Sequence, residues 1–347
     1  MLLSLVQRHE PAVPAIVPLI PGAMSTHPVN GNAAQALTPD SRPTRSAGTA
    51  LSADTTRHSM DLTVRHATTY QYPTMVDFGP HRLMLRPRDS FDMRILDTSL
   101  QITPAAHLEW IHDVYGNPVA IATFSQMSDR LEVVSKLVLR RYASTLPNTY
   151  SNSRQSHFTP RYTDGERIVL QPYLSPATDD DGRMAEWMAA VLAQAPAESA
   201  PLTAVFNAIH TGFGYSVRYE EGTQDPITTI AVKAGSCRDL AWLFIEAARR
   251  LGYAARFITG YLHDSVGPGG VRSTVGFTHA WAEVFIPGDG WVEFDPTNAL
   301  VADPNLIRVA MARVPGDASP ISGSFVGPAG TSAALFVGVE ISAAEST

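Results

Sequence analysis

The sequence predicts an α+β protein, strands first and helices after them. Three observations lead there. Residues 61–142 hold short runs of β-formers between turn signals. Residues 184–252 hold apolar positions at helical spacing, and residues 255–295 return to strands that close in a hairpin. The chain has 347 residues and an apolar fraction of 44%, enough for two domains or one with a large appendage.

Taken in order, the chain opens with a leader, residues 1–59. Four prolines in residues 11–24 forbid a regular helix there. No basic segment precedes them, so a secretory signal fits poorly. From Ser25 to His58 the composition is rich in Ala, Thr, Ser, Pro and Asn without periodicity, which reads as disorder. Met60 stands directly before the first strand and offers a second site for translation to start.

Strand-like runs then fall at Leu62–Tyr72, with Pro73 as a stop, and at His81–Leu85, Met93–Ile102, Leu108–Ile111, Val119–Phe124 and Leu131–Arg140. Gly79-Pro80, Pro87–Ser90, Gly116-Asn117-Pro118 and Ser128-Asp129 supply the turns. Short strands at this spacing predict an all-β sandwich over residues 60–160. Its histidines, His66, His81, His107 and His112, are scattered without metal-ligand spacing. Residues 143–180 read as a polar connection ending in Asp179-Asp180-Asp181, an N-terminal cap for the helix that follows. Helices are expected at Met184–Gln194 and Pro201–His210.

The next helix carries the only cysteine, Cys237. Ser236 suits the N-cap and Asp239, three residues on, makes an acidic capping box. Leu240, Leu243, Phe244, Ala247 and Leu251 form the apolar stripe, and Gly252 is the stop. A strand at Ala255–Leu262 and a glycine-rich loop, 263–275, follow. Thr278–Ile286 and Trp291–Asp295 then form a hairpin.

Cys237, His279 and Asp295 are the thiol, imidazole and carboxylate of a nucleophilic acyl-transfer triad. At the first turn of a helix, free backbone N–H groups and the dipole stabilise a thiolate. The same donors suit the oxyanion of a tetrahedral intermediate. Alternation puts His279, Trp281, Glu283 and Phe285 on one strand face, with Ala280, Ala282, Val284 and Ile286 on the other. Register decides whether Asp295 reaches His279. A four-residue loop would turn Asp295 away, whereas pairing Phe285 with Trp291 sets Asp295 opposite Trp281 and diagonal to His279. An odd-length loop or one bulge is therefore expected. Glu283 and Glu293 read as solvent-facing, and Asp239 as a cap alone.

These residues resemble the transglutaminase-like superfamily, in its bacterial form with a β-sandwich ahead of the core. GSCRDLAWLFIEAARRLGYAARFITGYL resembles the family's cysteine segment, and THAWAEVFIPGDGWVEFDPTN its histidine and aspartate segment. LTVRHATTYQYP with HRLMLRPRD resembles the start of its N-terminal domain. The resemblance implies a papain-like core over residues 161–310, a thiol-bearing helix packed on an antiparallel sheet. A C-terminal segment, 311–347, would pack strands on the rest. In that segment the family commonly has Gly-Arg-Asp-Tyr where this chain has Ala312-Arg313-Val314-Pro315. Tyr215 or Gln224 would supply the family's second oxyanion donor.

The expected function is cysteine-dependent acyl transfer on amide bonds of a protein or peptide, as peptidase, amidase or transglutaminase. A peptide- or protein-binding scaffold that keeps the fold without catalysis is the alternative. No cofactor or metal is expected. The net charge of −7 argues against a nucleic-acid partner. No run of about 18 apolar residues predicts a membrane span. A lone free thiol favours a reducing compartment, hence the cytoplasm.

Overall fold

The computed structural model describes residues 59–142, 160–197, 199–218, 220–263 and 275–343. The leader up to His58, most of the polar connection and nearly all of the glycine-rich loop lie outside these residues.

Among the described residues the strands come first: β1 (Ser59–Phe78), β2 (His81–Leu83), β3 (Met93–Thr103), β4 (Ala106–His112), β5 (Pro118–Phe124) and β6 (Ser128–Tyr142). Helices follow: α1 (Asp164–Leu174), α2 (Arg183–Gln194), α3 (Pro201–Gly212), α4 (Pro226–Val232) and α5 (Cys237–Arg250). Two short strands, β7 (Gly214–Tyr215) and β8 (Ala234–Gly235), sit among them. The chain then forms β9 (Ala255–Leu262), β10 (Val275–Ile286), β11 (Gly290–Asp295), β12 (Leu300–Val301) and β13 (Leu306–Ala312). It closes with β14 (Ile321–Ser322), β15 (Phe325–Val326) and β16 (Ala334–Ala343).

The fold is α+β. One large sheet runs β12-β11-β10-β16-β1-β6-β3, and a second runs β14-β2-β5-β4. β16 joins the two ends of the molecule, pairing antiparallel with β1 through Leu62↔Ala343 to Gln71↔Ala334 and touching β10 at Val275↔Glu340.

β1 is longer than expected. Pro73 lies within it, where the ladder to β6 shifts register between Gln71 and Val76. An irregularity of that kind accommodates a residue that lacks an N–H, so the strand continues past the proline. Its buried side then serves two neighbours. Tyr72, Val76 and Phe78 pack with Leu83, Ala120 and Ala122 of the second sheet, which makes the sandwich. Leu62 and Val64 pack instead with Tyr261, Ile307 and Val309 of the β9–β13 pair.

α1 falls inside the segment read as a polar connection. Its Thr163-x-x-Glu166 capping box is formed, with Thr163 N donating to Glu166 Oε2 at 2.8 Å. Leu170 is its only buried residue, which explains the weak periodic signal. α4 was also not anticipated, although Asp225 caps it and Pro226 opens it in the usual manner. The acidic run does cap α2: Asp180 accepts from Gly182 N at 2.9 Å and Met184 N at 3.0 Å.

α5 is the centre of the core and is buried from Asp239 to Arg249. Phe244 packs between Phe206 and Phe294, with ring centroids 5.6 and 5.5 Å away. Ala280, Ala282 and Val284 of β10 complete that contact. Inside this apolar setting Glu246 and Arg249 form an ion pair at 2.8 Å. Arg249 also donates to Ala255 O and Arg313 O, while the Arg313 side chain reaches Pro172 O at 2.7 Å. The Ala312–Pro315 segment thus ties the end of α5 to the end of α1. Gly252, at φ 88°, occupies the left-handed position that ends α5.

Candidate active site

Cys237 is the first residue of α5. Asp239 builds the turn that presents it. Its Oδ2 accepts from Ser236 N and Ser236 Oγ, both at 2.8 Å, and its Oδ1 from Gln224 N at 2.6 Å and Arg218 Nη1 at 2.8 Å. The carboxylate is fully buried. Asp239 is therefore more than a cap: it fastens Arg218 and Gln224 to the turn that carries Cys237. Gly235 leaves room for it, since a Cβ there would lie 2.8 Å from Asp239 Cβ.

The hairpin has the register that brings Asp295 to His279. Phe285 pairs with Trp291 and Ile286 with Gly290, leaving an odd loop of Pro287, Gly288 and Asp289. One step beyond the recorded pair Ala282↔Phe294, Asp295 comes opposite Trp281. His279 Nε2 and Asp295 Oδ2 are 2.7 Å apart. Asp295 Oδ1 accepts from Thr297 N at 3.0 Å, so the residue starts the following turn and orients the ring at once. Asn298 Nδ2 donates to Asp295 Oδ2 at 2.8 Å and lies 3.3 Å from His279 Nε2. Trp281 stacks beside the imidazole, centroids 5.9 Å apart and tilted by 26°.

Cys237 lines the same cleft as His279, close enough to favour the charged form of the ring. Burial opposes a charged ring. The hydrogen bond to Asp295, the neighbouring Cys237 and the charges of both outweigh it and push His279 from 6.5 up to about 10. This setting favours the protonated ring.

Cys237, Arg238 and His279 line a cleft of about 260 Å³ whose other wall includes His66, Thr68 and Tyr70 of β1. These three lie where β1 passes from one packing partner to the other. His66 is buried and hydrogen-bonded to Tyr261 Oη at 3.0 Å and Thr68 Oγ1 at 3.1 Å. Burial holds it down at about 4, so it is neutral. Tyr215 sits near enough to feel the charge of Cys237. Gln224 does not serve the site directly, because its amide donates to Thr229 Oγ1 at 2.9 Å and Ala234 O at 3.1 Å.

Two family profiles match the sequence: the bacterial transglutaminase-like N-terminal region over residues 62–140, and the transglutaminase-like superfamily core over residues 185–296. The chain belongs to the transglutaminase-like superfamily. An uncharacterized protein of Mycobacterium tuberculosis is 26% identical over 294 residues, covering 75% of this chain and 86% of that one. One from Mycobacterium leprae is 33% identical over 107 residues, covering 31% and 37%. Among solved structures, a proposed cysteine protease of Cytophaga hutchinsonii superposes with a TM-score of 0.62 at 21% identity. The match covers 84% of this chain and 92% of that protein.

Behind Cys237, His279 and Asp295 the structure corrects one expectation. Glu283 and Glu293, read as solvent-facing, are buried opposite one another in the hairpin. Arg308 Nη1 bridges them at 3.2 and 2.9 Å, and Arg256 Nε donates to Glu283. Trp281 Nε1 donates to Glu293 Oε1 at 3.2 Å. Burial, with the charge of Glu283 added, raises Glu293 above the ordinary glutamate range, against the pull of Arg308. Strand alternation is identical for exposed carboxylates and for buried ones that meet arginines, so sequence alone missed it. No group of three or more His, Cys, Asp or Glu among the described residues is arranged to hold a metal ion. No described helix is long and apolar enough to cross a membrane.

Proposed function

We propose that this transglutaminase-like protein is a cysteine-dependent acyl-transfer enzyme acting on amide bonds of a protein or peptide. The observation that carries the proposal is His279, fixed 2.7 Å from Asp295 and beside the thiol that opens α5. With Nε2 held by Asp295, the Nδ1 side of the ring remains for the sulfur. The thiolate of Cys237 attacks the amide carbonyl, and the Cys237 backbone N–H at the helix end stabilises the resulting oxyanion. The imidazolium gives its proton to the departing nitrogen as the C–N bond breaks. Ammonia or an amine leaves and a thioester remains. Water or a second amine then attacks the thioester, losing its proton to His279 and restoring the thiolate beside the imidazolium. We favour hydrolysis or peptide amide exchange. A free thiol suits the cytoplasm, where we place the enzyme.

The test is mass spectrometry of a peptide library incubated with and without a primary amine, beside Cys237→Ala. Deamidation, chain cleavage or amine incorporation by the wild type alone supports the proposal. Identical spectra from both proteins, with peptides retained on both, would overturn it in favour of a binding scaffold.

A further inference from the structure

Among the described residues, the other arginines shielded from water are matched to acceptors. Arg141 meets Asp92 at 3.0 Å, Arg249 meets Glu246 at 2.8 Å, and Arg308 meets Glu293 at 2.9 Å. Arg218, near the nucleophile, is held by Asp239 at 2.8 Å. Arg238 departs from that pattern. Its Nε is closed off from solvent and has no hydrogen-bond partner among the described residues. The neighbouring carboxylate, Asp239, already accepts from Ser236, Gln224 and Arg218. Arg238 also lines the cleft beside Cys237, and no Asp or Glu is among the lining residues. Since the Nε is sealed from solvent, a ligand in the cleft would meet this guanidinium through its Nη groups.

We propose that Arg238 is a specificity residue that receives a carboxylate of the acyl donor close to the amide under attack. The inference rests on the acyl-transfer reading of Cys237. The guanidinium is a planar fork that matches a carboxylate in two parallel hydrogen bonds. Because Cys237 and Arg238 line the same cleft, an anion held by the guanidinium would lie within reach of the carbonyl that the sulfur attacks. Pro320, Ile321, Leu335 and Val337 line the same cleft and suit an aliphatic stem. A volume of about 260 Å³ takes one or two residues of an extended peptide rather than a folded surface. The carboxylate belongs either to an Asp or Glu side chain or to a free C-terminus.

Alkylation of the full chain tests this without knowledge of the substrate. Iodoacetate and iodoacetamide both place a carbon on the Cys237 sulfur with loss of iodide, but only the first carries a carboxylate. Rates are compared for wild type, Arg238→Gln and Arg238→Lys, with folding checked by circular dichroism. The expected result is that Arg238→Gln slows iodoacetate about tenfold more than iodoacetamide, with Arg238→Lys between. Equal slowing of both reagents, which would mean that Arg238 acts only on the thiolate, overturns the proposal. So does no change in either. A wild-type Cys237 no more reactive than free cysteine defeats the acyl-transfer reading instead, and this inference with it. Donor peptides paired as Glu against Gln, and as free acid against C-terminal amide, then tell the two carboxylate sources apart. Loss of the acid preference in Arg238→Gln is expected for one pair.

Discussion

Asp295→Asn changes one atom and leaves the shape of the side chain intact, so its effect isolates charge and hydrogen-bond polarity. Asp295 receives donors on both oxygens: Thr297 N at 3.0 Å on one side, and His279 Nε2 at 2.7 Å with Asn298 Nδ2 at 2.8 Å on the other. The backbone N–H of Thr297 cannot become an acceptor. The asparagine carbonyl is therefore drawn to that side, and its NH2 faces His279 and Asn298. The imidazole must then accept at Nε2, which puts the proton of the neutral ring on Nδ1, where a base for the thiol needs a lone pair. The rise of His279 from 6.5 to about 10 corresponds to about 5 kcal/mol in favour of imidazolium. Asp295 provides the leading hydrogen bond and part of the charge, so about 1–3 kcal/mol, roughly tenfold or more in the protonation equilibrium, should be lost. The assay is NMR titration of ring-labelled histidine, with the resonance assigned through His279→Gln. The midpoint should move from about 10 toward the ordinary histidine range. The sign for stability follows: the raised histidine stabilises the fold fully below 6.5 and ceases to do so as pH rises through about 10, so the variant is less stable at pH 7. An unchanged titration midpoint in a folded variant would refute the reasoning.

Two further outcomes are expected. In Gly260→Ala the new methyl would meet Ile307 O and the Trp281 ring, on the residue paired with His279; thermal denaturation should show a loss of about 1–3 kcal/mol. A variant as stable as wild type would contradict that contact. Glu293→Gln removes a carboxyl whose folded-state value is raised, a group that stabilises below the ordinary glutamate range and ceases to do so as pH rises through the raised value. Denaturant unfolding across pH 4 to 8 should therefore fall less steeply with pH in the variant, and parallel curves would count against it.

Local signals carried much of the site. The Ser236–Asp239 pair and the stripe through Leu240, Leu243, Phe244 and Ala247 announced α5, because capping and periodicity act within a few residues. The hairpin register was legible because alternation and loop parity leave few ways to set Asp295 beside His279. What escaped the sequence depends on distant partners. His66, Thr68 and Tyr70 reach the cleft from about 170 residues upstream of Cys237, and nothing in their own neighbourhood points to it. Glu283 and Glu293 are buried because Arg256 and Arg308 arrive from β9 and β13. Pro73 looked like a stop because a break in register to β6 cannot be read from β1 alone. The Thr163-x-x-Glu166 box of α1 could have been found, but its exposed Ile168 and Val169 disguise the helix.

The position of β16 bears on how the protein is made. Leu62 must await Ala343, and two residues of the wall beside the thiol, Leu335 and Val337, belong to the same late strand. A ribosome-bound chain can bury α5 among its neighbours while the groove is still open along one flank. On the proposed function, a chain that has not yet added β16 carries the Cys237 thiol in a cleft that still lacks one of its walls.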